Sequence, residues 1–404
     1  MVGGPIMSLY PPLAVERAMK IQEVVLKATN HTISWIDAAR IIGVSDRTMR
    51  RLKWRYENFG CDGLLDKRRG RPSAKRAPLA KLDEILRLYR EKYDGFNARH
   101  FHRKLVKEHG MEWSYTFVKT VLQGAGLIRK YRKRGRHHRR REPKACFGEM
   151  LHIDGSKHAW LALEPTQIQT LIVVLDDATS RLLYAQLWPQ ETTEAIMTAL
   201  KAVIAELGIP LSLYNDRAGW AFYTPKAGDK VSKTTFTQVG RALDELGVEH
   251  IPAYSPQARG RSERVNRTLQ DRLVNELKAA RIREVNAANT FIREVYQAAH
   301  NEEFARAPKD ATSCFISAKA VNLDEMFCIK ETRVVGNDNV VRYDNRQFQI
   351  EKQQDRATYA GLKVEVQARL DGTISLVRGV RVIGRYDPEA NVIEATPRTK
   401  RHAG

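Results

Sequence analysis

The chain has 404 residues, enough for several domains and at least one sizeable apolar core. Its formal net charge of +21 sits in the front: residues 1–150 hold 34 Lys and Arg against 15 Asp and Glu, and the remainder hold 34 against 32. That asymmetry points to a nucleic-acid-binding region joined to a nearly neutral body. Cys61, Cys146, Cys314 and Cys328 form no C-x-x-C pair, which speaks against a disulfide scaffold and a zinc ribbon, and no apolar run is long enough to span a bilayer. The expectation is a cytoplasmic protein with no membrane partner.

In chain order, apolar residues at helical spacing predict a helix from Leu13 to Asn30 and a second from Trp35 to Ile42, broken by Gly43. Ser45 is placed to cap a third, Asp46 to Phe59, whose exposed face would carry Arg47, Arg50, Arg51 and Lys53. Helix, short glycine turn and capped basic helix make a helix-turn-helix over 13–66, with Arg47, Arg50 and Arg51 as DNA contacts. A basic linker, 67–78, carries Arg68, Arg69 and Arg71 and could follow a phosphate backbone or a narrow minor groove. Three more short helices, Leu79–Tyr93, Ala98–His109 and Tyr115–Gln123 after a cap at Ser114, predict a second helix-turn-helix over 79–128. The arm 129–145 contains RKYRKRGRHHRRR, with Arg132, Arg134, Arg136, Arg139 and Arg140 as contacts to DNA phosphates rather than bases.

From Met150 the pattern changes to short β-branched runs alternating with helical ones. Strands Leu151–Asp154, Thr170–Leu175 and Leu182–Leu187, helix Glu191–Leu207, strand Leu211–Tyr214, helix Thr237–Leu246, strand Val248–Ala253 and a long helix Ser262–Arg281 follow one another. The order βββ-α-β-α-β-α is that of a ribonuclease-H-like mixed sheet with helices on both faces, over 146–305. A linker, 306–331, would lead to a small β-barrel of about five strands over 332–388, and a basic tail, 389–404, would close the chain. The fold class is therefore multi-domain: all-α helix-turn-helix units, a central α/β ribonuclease-H-like sheet and a C-terminal small β-barrel.

Three carboxylates stand out by position. Asp154 ends the first strand, Asp216 follows the fourth and Glu263 opens the long helix after a glycine-containing turn. Adjacent first and fourth strands would set Asp154 and Asp216 side by side, and the helix would deliver Glu263 to the same edge. Such a set of hard oxygen donors suits Mg²⁺, with Mn²⁺ able to substitute, and two such ions can activate an attacking oxygen and stabilise a leaving oxygen at phosphorus.

The segments LHIDGSKHAWL (151–161), LYNDRAGW (213–220) and YSPQARGRSERVNRTLQDRL (254–273) resemble the integrase catalytic core of insertion-sequence transposases and retroviral integrases, and most of all the ISNCY-type transposases. The resemblance covers about residues 145–305. It implies that Asp154, Asp216 and Glu263 form a D-D-E triad for 3′-end cleavage and strand transfer, with DNA as partner, a homo-oligomer on DNA, and a bacterial, nucleoid-associated location. The zinc-binding front of retroviral integrases is absent, and residues 218–235 lengthen the second spacing.

Arg259, Arg261, Asn266, Arg267 and Gln270 read as further DNA contacts, the last three sharing the helix face of Glu263. Asp176 and Asp177 read as structural turn residues, His158 as a packing residue, and His152 as facing the opposite side of its strand from Asp154. The alternatives are a catalytically inactive, domesticated DNA-binding regulator and a nuclease without joining activity.

Overall fold

The computed structural model describes residues 10–66, 77–130, 135, 142–225, 231–232, 234–254, 260–352 and 356–393. The chain divides into two compact units, 1–84 and 85–404, the division falling inside a helix.

In the first unit, α1 (Pro12–Thr29), α2 (Trp35–Ile42) and α3 (Asp46–Phe59) surround a core of Ala18, Ile21, Val25 and Ala28 from α1, Ala38 and Ala39 from α2, and Met49 from α3. The local chemistry explains the boundaries. Ser34 accepts the Asp37 amide and Ser45 the Thr48 amide, satisfying donors that each helix start leaves free, and Gly43 ends α2 at φ 75°.

The second unit begins with the remainder of α4 (Leu79–Glu91), then α5 (Ala98–His109) and α6 (Tyr115–Gly124), around Ile85, Tyr89, Phe96, Phe101, Leu105, Val118 and Leu122. Asn97 caps α5 through the Arg99 and His100 amides, and Ser114 caps α6.

Next come β1 (Cys146–Phe147), β2 (Leu151–His158), β3 (Gln169–Asp176), β4 (Leu182–Trp188), α7 (Thr193–Leu207), β5 (Ser212–Asn215), α8 (Gln238–Glu245), β6 (Glu249–Pro252) and α9 (Gly260–Ala279). Then α10 (Val285–Phe291), a π-helical turn (Ile292–Tyr296) and α11 (Gln297–Phe304) follow. The five-stranded sheet runs β4-β3-β2-β5-β6, antiparallel through β4, β3 and β2 and parallel from β2 to β6. Strand alternation sorts its faces. Leu151, Ile153, Ile172 and Val174 pack with α7 and α8, whereas Leu171, Val173 and Leu175 pack with Leu269, Leu273 and Leu277 of α9. Each buried aliphatic side chain contributes on the order of 2 kcal/mol, so α9 is held to the sheet by its leucine row.

Residues 306–331, expected as a linker, run across this core instead. β7 (Asp310–Ser313) pairs in parallel with β1, Ile316 bridges Ile209, and Phe327 is buried against the α7 side after the short α12 (Leu323–Met326). Gly148 makes room: a Cβ there would lie 2.5 Å from the Phe315 ring. The apolar residues Phe315, Leu323, Met326 and Phe327 are too many for a solvated linker.

The C-terminal region holds β8 (Ile329–Val334), β9 (Val340–Tyr343), β10 (Arg346–Gln349), β11 (Lys363–Ala368), β12 (Ile374–Arg378) and β13 (Arg381–Tyr386). Among the described residues the expected barrel does not close. An antiparallel sheet, β13-β12-β11-β8, stands beside a separate β9–β10 hairpin. Hairpin and sheet share one core, with Val341 and Phe348 packed against Val366, Leu376 and Tyr386. Burial is thus achieved by packing, and the tie between hairpin and sheet edge is a side-chain one, the Tyr386 hydroxyl of β13 donating to the Gln349 carbonyl of β10 at 2.7 Å.

Within the second unit, α5 is also docked on the core. Glu276 of α9 accepts from His100 (2.7 Å) and Lys104 (2.8 Å) of α5. Glu303 of α11 pairs with Arg103 (2.5 Å) and Arg272 (2.6 Å), and Asn97 donates to Asp271.

Candidate active site and nucleic-acid interface

Asp154 lies on β2 and faces α9, since its partner across the ladder is Val173 of the α9-side core. Asp216 follows β5 directly. The parallel register pairs Leu151 with Leu213 and His152 with Tyr214; continued by two residues at the same offset, it sets Asp216 level with Asp154. Asp154 and Asp216 are both half-buried and lie two residues beyond the last β2–β5 pair, on the two chains that leave that pairing.

The loop bearing Asp216 is fixed from both sides. Its carboxylate Oδ1 accepts the Ala218 amide at 3.1 Å, and its carbonyl accepts from the Asn215 side chain at 2.7 Å. Asn215 Oδ1 in turn meets His250 Nε2 at 2.7 Å. Burial pushes His250 down to about 4 and its ring stacks on Phe222, so near neutrality it is a neutral donor holding this loop. Beside it, the Arg217 guanidinium lies over the exposed ring of Tyr254.

α9 supplies the third side. Asn266 Nδ2 donates to Asp154 Oδ2 at 2.8 Å and Gln270 Nε2 to Ser156 Oγ at 3.0 Å. Asn266 and Gln270 stand three and seven positions after Glu263, so all three share one stripe of the helix, and the exposed Glu263 sits one turn before the residue bonded to Asp154. Two of the expected DNA contacts are therefore engaged with the sheet, whereas Arg267 remains exposed. Among the described residues no three His, Cys, Asp or Glu side chains are grouped closely enough to hold a metal ion. The donors present are hard oxygens, of the kind Mg²⁺ and Mn²⁺ take.

Arg261 is turned inward. It donates to the Asp177 carbonyl and approaches the Asp177 carboxylate at 3.2 Å. His152, expected to face away from Asp154, lies on the same side of β2, because residues two apart on a strand share a face; its Nε2 donates to Asp177 at 2.6 Å. Burial raises the pKa of Asp177, but the His152 hydrogen bond, the Lys144 amide and the charges of His152 and Arg261 outweigh it and hold the group at about 2. Asp176 accepts from the Gly148 amide and from the amide and hydroxyl of Thr179. Both aspartates are fully buried. The i+3 and i+7 spacing from Glu263 and the even-numbered alternation along β2 were the signals that could have assigned Asn266, Gln270 and His152.

On the first unit, Arg47, Arg50 and Arg51 are exposed on α3, and Trp54 continues their stripe at 56% exposure. Arg68, Arg69, Arg71, Arg132, Arg134, Arg136, Arg139, Arg140 and Arg259 lie outside the described residues. No helix among the described residues is long and apolar enough to cross a membrane.

A helix-turn-helix domain model matches residues 22–73. The chain is 30% identical over 363 residues to the transposase y4bF of Sinorhizobium fredii, covering 89% of this chain and 79% of that protein. It is 28% identical over 375 residues to the transposase for insertion sequence IS1202 of Streptococcus pneumoniae, covering 83% and 78%. The HTLV-2 integrase catalytic core domain, solved in complex with magnesium, aligns at 15% identity and a TM-score of 0.27 over 36% of this chain and 82% of that one. A simian T-cell lymphotropic virus intasome in complex with PP2A regulatory subunit B56 gamma aligns at 13% identity and a TM-score of 0.30, over 74% and 95%. These relatives put the chain in the transposase and integrase superfamily. Within it, the chain belongs to the insertion-sequence transposases.

Proposed function

We propose that the protein cleaves the 3′ ends of its own mobile element and joins them to target DNA, using Asp154, Asp216 and Glu263 as the catalytic carboxylates. The observation that supports the reading is the parallel register Leu151–Leu213 and His152–Tyr214, at the same offset that separates Asp154 from Asp216, together with the hydrogen bond from Asn266, three residues after Glu263, to Asp154. Brought together on DNA, these three would supply the hard oxygen donors for divalent Mg²⁺ or Mn²⁺, whose chemistry there would be to neutralise charge on the attacking and leaving oxygens. Asn266 fixes the Asp154 carboxylate by a hydrogen bond to one oxygen, and the His250–Asn215 pair fixes the loop of Asp216. Both reactions are in-line displacements at phosphorus, so one carboxylate set serves both, first with water and then with the 3′-hydroxyl as nucleophile.

DNA is held in this reading by the exposed α3 arginines, by Arg267 and by the basic segments between the folded parts. Several copies acting together on two element ends would form the working assembly. The test is a strand-transfer assay with the full chain, a labelled duplex carrying the element's end, a target plasmid and Mg²⁺. Joined products that vanish with EDTA support the reading. Tight end binding without cleavage in Mg²⁺ or Mn²⁺ would instead identify a DNA-binding regulator.

A further inference from the structure

We propose that the α4–α6 region acts as a ruler, docked rigidly on the catalytic helix so that it fixes the distance between the DNA it reads and the phosphate that is cut. Glu276 and Glu303 are its positioning residues. The inference rests on the transposase reading above and adds a determinant of where the cut falls.

The docking is built from half-buried charge. Glu276 holds both His100, which is only 4% exposed, and Lys104; Glu303 holds Arg103 and the buried Arg272. Removing Glu276 strands Lys104 and takes the hydrogen-bond acceptor from the buried His100 ring, and removing Glu303 strands Arg103 and the buried Arg272, so these pairs resist opening far more than exposed ones. Burial opposes the charged form of Glu276, yet its His100 and Lys104 partners hold its pKa below the ordinary range, so it stays ionised. His100 and Lys104 of α5 are thus turned to the core, whereas Arg99 stays exposed over the Tyr115 ring at the start of α6. What α6 leaves exposed is Thr116, Lys119 and Thr120, a surface able to read a groove.

One unbroken helix, α9, carries both Glu263 and Glu276. At 1.5 Å per residue they stand about 20 Å apart, the length of roughly six base pairs of B-form DNA. A recognition surface anchored at one end of that helix and a carboxylate at the other impose a fixed spacing.

The experiment uses the full chain, a duplex with the element's end, and Mg²⁺, with cleavage mapped to the nucleotide. One to three base pairs are inserted between the segment protected by the protein and the terminus. The ruler predicts that the cut moves with the protected segment. Cutting that stays at the original terminal phosphate, or is lost on insertion, overturns it. Glu276→Lys should scatter cleavage over several neighbouring phosphates while total cleavage falls less than tenfold. If that variant unfolds, Glu276→Gln, which keeps the hydrogen-bonding capacity, should give a milder scatter. A folded variant that still cuts at one position refutes the proposal. Failure of the unaltered protein to cut an unaltered end would sink the transposase reading instead.

Discussion

Two groups of acids lie around the same end of β2, and their surroundings differ in kind. Asp176 and Asp177 are fully buried and accept between them from three backbone amides, a threonine hydroxyl, a histidine and an arginine. Asp154 and Asp216 are half-buried where the β2–β5 pairing stops, and Glu263 is exposed on the first turn of α9. A carboxylate whose lone pairs are already taken by protein donors is a structural anchor, because a cation could reach it only by displacing buried hydrogen bonds. A carboxylate at an open sheet end can exchange water for a metal ion. Sequence proximity to the site therefore says less about role than the donors around each oxygen.

The comparison breaks most sharply at Glu263. Replacement by Gln keeps size and hydrogen bonding but removes the charge, so DNA binding and folding should persist while cleavage and joining fall by orders of magnitude. Single-turnover cleavage in Mg²⁺ measures this. Near-normal joining by Glu263→Gln, with loss on Asp177→Asn in a folded protein, would reverse the roles assigned here.

Asp177→Asn should act on stability, lowering it by about 3 kcal/mol, since it breaks a buried ion pair and leaves Arg261 without its counter-ion. The sign of its pH dependence follows from its depressed pKa. The group is held at about 2, below its ordinary 3.8, so its contribution is fully present above about pH 5 and is lost as pH falls through 2. Urea unfolding at about pH 6 and about pH 2 should show the unaltered protein losing more than the Asn variant, by on the order of 1–2 kcal/mol. Equal losses would mean that Asp177 keeps an ordinary pKa.

Much of this was legible in the sequence because it depends on local pattern. Serine caps, glycine stops and apolar spacing located α2, α3, α5 and α6, and the alternation of strand and helix runs gave the sheet order. What was not legible depends on partners far apart in the chain. The docking of α5 on α9 needs His100 and Glu276 to meet, and in the sequence each looks like one more charge on a solvated helix face. The packing of 306–331 rests on Phe315 and Phe327 finding apolar neighbours more than a hundred residues away. The open C-terminal sheet follows from a hairpin that packs across it, which strand count alone cannot distinguish from closure. His152 was the one misreading that the sequence itself could have prevented, since its place two residues before Asp154 decides its face.

The same division sorts the arginines of α9, with smaller effects. Arg261 is spent on Asp177 and Arg267 is exposed, although both follow the same glycine turn and both read as DNA contacts. An exposed arginine beside the site contributes by displacing a counter-ion from a phosphate, so Arg267→Ala should lower the slope of log affinity against log salt by about one and weaken cognate and random DNA alike. Arg261→Ala should leave that slope unchanged and show itself in unfolding instead, because the removed charge faced a buried carboxylate. Filter binding at several salt concentrations, run beside urea melts of the two variants, separates them. If Arg261→Ala lowers the salt slope while Arg267→Ala does not, the inward and outward faces of α9 have been assigned the wrong way round.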